Sequence, residues 1–176
     1  MSVQGYPPVV SPDGDGYLNV VLDELFLRSG LKYKLVKSPA RRGLADADDG
    51  SLDAVITPIP DHSLNFPSLL VVPEPILPLR FGGLYIRDDI VVARPEDFFN
   101  YRVAYLRGWI QAERLLHGHE RSEQLRDAVL MMNMLALDRV DVVFFAIDAG
   151  HYIADQIGLK NLKDSEYIVR RIYVCI

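Results

Sequence analysis

Several groups of residues have the types and spacing for chemistry. In "RGWIQAE", Gly108 lets the backbone turn, and the amides of Trp109, Ile110 and Gln111 open a helix. Unpaired N–H groups in that arrangement suit an anion, and Trp109 can cover an apolar part of a solute. Asp148 and His151 stand three apart at the start of a predicted helix and so share a face, where Asp148 also fits the N-cap. Thr57 ends an apolar run with a hydroxyl and a carbonyl, and Pro58 withdraws the donor that would let the strand continue. Tyr6 precedes two prolines, a stiff turn that offers its ring either to a solute or to a helix over 17–29. Arg42, with Arg41, begins a short helix and can meet an anionic solute or the acidic run 46–49, while Arg80 lies in the loop before "GLYIRDD".

Other clusters carry less. In "HGHE", His117 and His119 supply two ligands where structural zinc takes four and catalytic zinc three, so a solvated loop is expected and no metal. "PDGDGY" opens like a calcium loop, but Tyr17 sits where an oxygen ligand belongs, and a turn is expected. The single cysteine, Cys175, lies in "RRIYVCI" and reads as a small buried hydrophobe. There is no P-loop, Gly-x-Ser-x-Gly or paired-cysteine motif, so no cofactor is expected.

Elements must hold these residues in place. The chain has 176 residues, 49% apolar and 24% charged, enough for one domain or two small lobes with a real core. "SPDGDGYLNVVLDELFLRSG" predicts a turn and then a helix with Leu18, Val21, Leu22 and Leu25 inward, ended by Gly30, with a strand near Tyr33 to Val36 beyond. "PARRGLADADDG" predicts a short helix opened by Pro39 and closed by Gly50, followed by a strand from Asp53 to Thr57. Residues 58–83, rich in proline and glycine, predict loop and short edge strands. "RPEDFFN" predicts a short helix and "YRVAYLRG" a strand. "WIQAERLLHG" and "SEQLRDAVLMMNMLALDR" predict helices, the second with Ser122 as N-cap and Leu125, Val129, Met132 and Ala136 on its apolar face. "VDVVFFA" and "EYIVRRIYVCI" predict strands on either side of the helix "DAGHYIADQIG".

The second half thus echoes the first: "SLDAVITP" and "RVDVVFFAID" each follow a helix, turn through an aspartate and end a strand abruptly. Two similar α/β lobes leave a cleft, and open α/β sheets bind ligands beyond the carboxyl ends of their strands.

In order along the chain, "GYPPVVSPDGDGYLNVVLDEL", "PARRGLADADDGSLDAVITP", "RPEDFFNYRVAYLRGW" and "LALDRVDVVFFAID" resemble segments of bacterial extracellular solute-binding proteins of family 3. The most specific piece is Arg42 followed by Gly50 and Asp53. The resemblance spans nearly the whole chain and implies an α/β, two-lobed type 2 periplasmic-binding (Venus-flytrap) fold, each lobe a mostly parallel sheet flanked by helices. It implies lobe 1 over 1–83, lobe 2 over 84–166 and a returning strand over 167–176, with crossing strands near Gly83 to Arg87 and Tyr167 to Cys175. It also implies closure on a small polar solute, amino-acid-like or an organic acid, delivered to the permease of an ABC-type transporter in the periplasm. Members that bind α-amino acids place an arginine after the first echoed strand and an acid directly after the second. Here Ser63 or His62 stands at the first place and Ala146 at the second, with Asp148 two residues on.

A sensory domain of a membrane receptor is the alternative on the same fold. Dehydratases of the prephenate or arogenate type also look like this family, and an enzyme of that kind would need Asp148, His151 or His62 as its acid. An enzyme is not the expected reading. The balance of 19 basic against 24 acidic residues, net −5, with no basic run argues against nucleic acid. The apolar stretches are about half a membrane span, so no insertion is expected. "MSVQGYPPVV" lacks the regions of a signal peptide, so an exported form would have had its signal removed.

Overall fold

The computed structural model of this protein describes residues 1–3, 5–57, 66–72 and 74–175, with the side chains at 40, 57 and 171–175 outside the description. The chain divides into unit 1, made of Met1–Leu79 and Arg171–Ile176, and unit 2, the continuous stretch Arg80–Arg170.

In unit 1, β1 (Ser2–Val3) pairs in parallel with β2 (Val36–Lys37) on one side and β3 (Val55–Thr57) on the other. β3 pairs antiparallel with the last strand of the chain, Ile56 opposite Cys175 and Thr57 opposite Val174. Helix α1 (Tyr17–Ser29) ends at Gly30, whose φ of +70° is the left-handed turn that glycine adopts without penalty. Leu18 and Leu22 are buried as expected, but Val21 and Leu25 are 37% and 47% exposed. Length explains the difference. Two-residue strands run roughly 7 Å and thirteen helical residues roughly 20 Å, so the helix outruns the sheet it covers.

The strand expected from Tyr33 is shorter than the sequence suggests. Tyr33 instead stacks on Phe26, with ring centroids 4.4 Å apart, and its hydroxyl donates to Asp23 Oδ1 at 2.5 Å. Burial, and then that carboxylate, push the Tyr33 phenol up to about 12. Helix α2 (Ala40–Asp48) follows Pro39, and its Leu44 meets Val55 in a core flanked by Ala47, Phe66, Leu69 and Val71.

β4 (Leu77–Tyr85) leads into unit 2, so the end of the stretch expected to be loop and short edge strands is a nine-residue strand. Pro95–Asn100 is a 3-10 helix rather than an α-helical turn, with Asp97 accepting from the backbone N–H groups of Ala93 and Arg94 at its start. Then come β5 (Val103–Leu106), α3 (Ile110–Leu115), β6 (Ser122–Leu125), α4 (Ala128–Ala136), β7 (Val142–Ala146), α5 (Ile147–Ile157) and β8 (Lys163–Cys175). The strand order in unit 2 is β8-β4-β7-β5-β6, with β5 parallel to β6 and β7, and β4 antiparallel to β7. "VAYL" and "VVFFA" are buried at every position, as inner parallel strands covered on both faces must be.

Two glycines let β4 and β8 approach closely. A Cβ at Gly82 would stand 2.9 Å from Ser165 Oγ, and one at Gly83 would stand 3.3 Å from Ser165 Cβ. The buried Ser165 hydroxyl uses that closeness, accepting from Gly83 N–H at 2.8 Å and donating to Tyr167 O at 2.6 Å. Phe98 closes the same core edge-on to Phe144 at 5.5 Å, a geometry worth about 1 kcal/mol beyond burial.

The helix expected over "SEQLRDAVLMMNMLALDR" is two elements. Ser122 to Leu125 pair with Val103 to Leu106 as β6, and Ser122 is not an N-cap; its hydroxyl donates to His119 O at 2.8 Å. Asp127 caps α4 instead, accepting from Leu130 N–H at 2.7 Å. The buried face is Ala128, Met131, Met132 and Leu135, so Met132 alone of the expected face is in the core. Ladder hydrogen bonds to β5 outweigh the helix preference of four residues. Among the described residues no helix is long and apolar enough to cross a membrane.

Candidate functional site

Unit 2 brings several of the expected residues to the carboxyl ends of its strands. β5 runs into Gly108, whose φ of +80° turns the chain out of the strand. Gly108 N–H donates to Glu113 Oε1 at 2.9 Å, and Trp109 N–H to Leu106 O at 3.2 Å. The expected row of open amides is therefore narrower: the Trp109 amide is spent on the turn. A side chain five residues on closes the loop, which spacing alone does not reveal.

The Trp109 indole is wedged between two aromatics of the sheet. It stands edge-on to Phe81 at 5.1 Å and tilted over Phe145 at 5.1 Å. Its Nε1 is buried and has no hydrogen-bond partner among the described residues, and the same holds for both Oε1 and Nε2 of Gln111. A buried amide with neither donor nor acceptor used is uncommon, because each unmade bond costs about 1–3 kcal/mol. Ile110, the residue between them, is half-buried in the first turn of α3.

Asp148 and His151 do not act together, contrary to what their spacing suggests. Asp148 Oδ1 is held by Arg80 Nη2 at 2.7 Å, joining the start of α5 to β4. His151 Nε2 stands 2.6 Å from Asp164 Oδ1 on β8. Nor is Asp148 the N-cap: Ala146 holds that position, with no side-chain cap bond, because α5 starts directly at the end of β7.

In unit 1, Tyr6 sits in the turn after β1, its carbonyl accepting from Val9 and Val10 N–H at 3.0 Å each and its ring 5.0 Å from Lys37 Nζ. Arg42 Nε pairs with Asp46 Oδ1 at 2.7 Å, one turn along α2, in the structural arrangement weighed for it. Thr57 ends β3, but its side chain, like Pro58, His62, Ser63 and the Cys175 side chain, lies outside the described residues.

His119 corrects another expectation. It is buried, its Nε2 lies 3.0 Å from Tyr101 O, and its ring packs 4.8 Å from Phe99, so only His117 of the pair is solvated. Among the described residues no three metal-ligating side chains gather. "PDGDGY" is the expected turn, with the Ser11 hydroxyl accepting from Asp13 N–H at 3.2 Å. An open groove of about 600 Å³ in unit 2 is lined by Tyr105, Glu113, Leu116, His117, Glu120 and Gln124 among others. The sequence does not reveal this groove, because it predicts helix where β6 forms; the Gln124 amide donates to Tyr105 Oη at 2.7 Å.

No protein-family model and no curated protein sequence matches this chain. Solved structures do. The GluR0 ligand-binding core complexed with L-glutamate superposes with a TM-score of 0.82 at 19% identity, over 99% of this chain and 82% of that one. A histidine kinase sensor domain with similarity to periplasmic binding proteins gives 0.78 at 19%, over 99% and 80%. Arginine-bound ArgBP from T. maritima, a Gly52Ala mutant in its own numbering, gives 0.74 at 16%, over 99% and 85%.

The chain has the two-lobed type 2 periplasmic-binding fold. Unit 1 is then lobe 1 and unit 2 lobe 2, each a mostly parallel α/β sheet flanked by helices. The Trp109 and Gln111 segment follows a central parallel strand of lobe 2, the kind of position at which open α/β sheets take ligands.

Proposed function

We infer that this protein binds a small polar solute, which Trp109, Ile110 and Gln111 of lobe 2 contact. The observation that carries this reading is the Gln111 amide, buried with both polar atoms unpaired among the described residues. Such a group is costly in isolation and becomes favourable once a solute supplies an acceptor and a donor. The Arg80–Asp148 pair, with both side chains partly exposed, is a charged element of the same lobe and belongs to the proposed set. Arg42, Thr57, Pro58, Gly108 and His151 complete the proposed set, Gly108 and His151 in supporting roles through Glu113 and Asp164. An amino-acid-like molecule or an organic acid fits these groups.

The proposed role is that of a substrate-binding component of an ABC-type uptake transporter related to family 3, outside the cytoplasmic membrane and in contact with a permease. A second reading is favoured by a specific likeness: the similar structures include a histidine kinase sensor domain and the BvgS VFT2 domain from Bordetella pertussis. The same solute site would then drive a receptor. A dehydratase is disfavoured at two of its three candidate acids, Asp148 and His151, each engaged by its own partner; His62 lies outside the described residues.

The test is a thermal-shift and fluorescence panel of amino acids, polyamines, opines, organic acids and aromatic acids. Trp109 is the sole tryptophan, so its emission reports the proposed site directly. A solute at 100 times its Kd raises stability by about 2.7 kcal/mol. A panel in which no compound moves either the melting midpoint or the emission overturns the reading. Cellular uptake of the identified solute, lost on deletion of the gene, distinguishes transport from sensing.

A further inference from the structure

Helix α4, "AVLMMNMLA", has a single polar residue in its length. One face, Ala128, Met131, Met132 and Leu135, is spent on the core, where the helix packs against β5, β7 and α5. The opposite face is apolar as well. Val129, Leu130 and Leu137 are 46%, 50% and 64% exposed, Ala136 lies beside them, and Asn133 falls at their centre at about 100° per residue. Exposed apolar residues scattered singly need no explanation, but an uncharged face two turns long does. On α1 the exposed Tyr17, Val20, Val21, Leu25 and Leu27 share their face with the Glu24–Arg28 ion pair, which falls in its middle, so that face is not uncharged.

Charges return only at the two ends of α4, Arg126 and Asp127 before it, Asp138 and Arg139 after it. That order is complementary to its own reverse. We propose that α4 packs antiparallel against α4 of a second copy of this chain, forming a two-fold dimer with Asn133 on the axis. In that register Val129 meets Leu137, Leu130 meets Ala136, and Asp127 meets Arg139, each pair occurring twice as an isologous interface requires. Asp127 uses Oδ1 for the cap on Leu130 N–H, which leaves Oδ2 for a cation. The Arg139 guanidinium has no ion-pair partner among the described residues.

A parallel pairing would set Asp127 against Asp127 and align the helix dipoles; the antiparallel one opposes the dipoles and matches the charges. Asn133 Nδ2 donates to Val129 O at 2.9 Å and its Oδ1 stays open, so the residue can bond across the axis and fix the register, as a lone asparagine does in an apolar helical seam. Nothing in this pairing depends on the solute-binding reading.

Sedimentation and light scattering on the whole protein test it. The wild type is expected at twice the chain mass of 19.9 kDa, in a concentration-dependent equilibrium. Leu130→Glu should be monomeric with an unchanged fold by circular dichroism. Asp127→Asn keeps the cap, since asparagine caps as well as aspartate, yet should raise the dimer Kd about tenfold, an effect that shrinks in high salt. With Cys175 replaced by serine, Asn133→Cys should be joined to its copy by a short bifunctional thiol reagent, whereas Glu96→Cys should not. A wild type that stays monomeric at every concentration overturns the proposal. So does a dimer that survives Leu130→Glu or links no faster through position 133 than through position 96.

Discussion

Gln111 concentrates the conflict between stability and function at one side chain. Its amide is buried without partners among the described residues, so replacing it by leucine, of similar volume and without polar atoms, removes a desolvation cost and leaves no new one. Gln111→Leu is expected to raise the stability of the solute-free protein by about 1 kcal/mol and to abolish the solute-induced thermal shift. A parallel loss of both stabilities would make the amide structural. Asp141 is the opposite kind of residue. It accepts from Arg102 N–H, Nε and Nη2 at 2.8, 3.0 and 2.8 Å and from Arg87 Nη1 at 3.2 Å. Arg102, foremost through its side-chain hydrogen bonds, holds the Asp141 carboxyl below its ordinary 3.8. A depressed carboxyl contributes stability above its unfolded value and loses it as pH falls through the folded one. Asp141→Asn should therefore cost about 2 kcal/mol at neutral pH and flatten the acid limb of the melting curve below about pH 4. An acid limb of unchanged slope would place the titration elsewhere.

At the scale of elements, α4 and β6 show what decides a boundary. "SEQLRDAVLMM" can be helical throughout, and the parallel ladder on β5 takes its first four residues away. The new helix start then needs a cap, and Asp127 provides it. Asp127→Ala should cost about 1 kcal/mol by chemical denaturation at a concentration low enough to keep the protein monomeric, whereas Asp127→Asn should cost little. Equal losses for both would remove the cap from the account. The same logic explains why Asp148 is no cap: β7 passes into α5 without an intervening turn, and the aspartate, one position into the helix, is taken by Arg80.

For the whole molecule the chain path matters more than any single contact. Lobe 2 is continuous from Arg80 to Arg170, while lobe 1 needs residues 171–175 to complete the pairing of β3. A fragment of residues 80–170 should fold and melt cooperatively by itself, whereas residues 1–79 alone should not, as judged by circular dichroism and amide exchange. Cooperative melting of 1–79 would show that the returning strand is dispensable.

What the sequence determined by itself was the α/β class, the echoed strands, the turn at Gly108 and the stop at Gly30. Each follows from local rules: strands without polar residues are buried on both faces, and a left-handed turn takes glycine. The tertiary structure alone decided which polar groups are spent. Only packing reveals that Glu113 occupies the Gly108 amide, that Arg80 and Asp164 separate Asp148 from His151, that Tyr101 buries His119, and that Gln111 keeps its amide unpaired. Partners at long sequence separation leave no periodicity behind, and hydrogen-bond satisfaction is a property of the folded volume rather than of any stretch of chain.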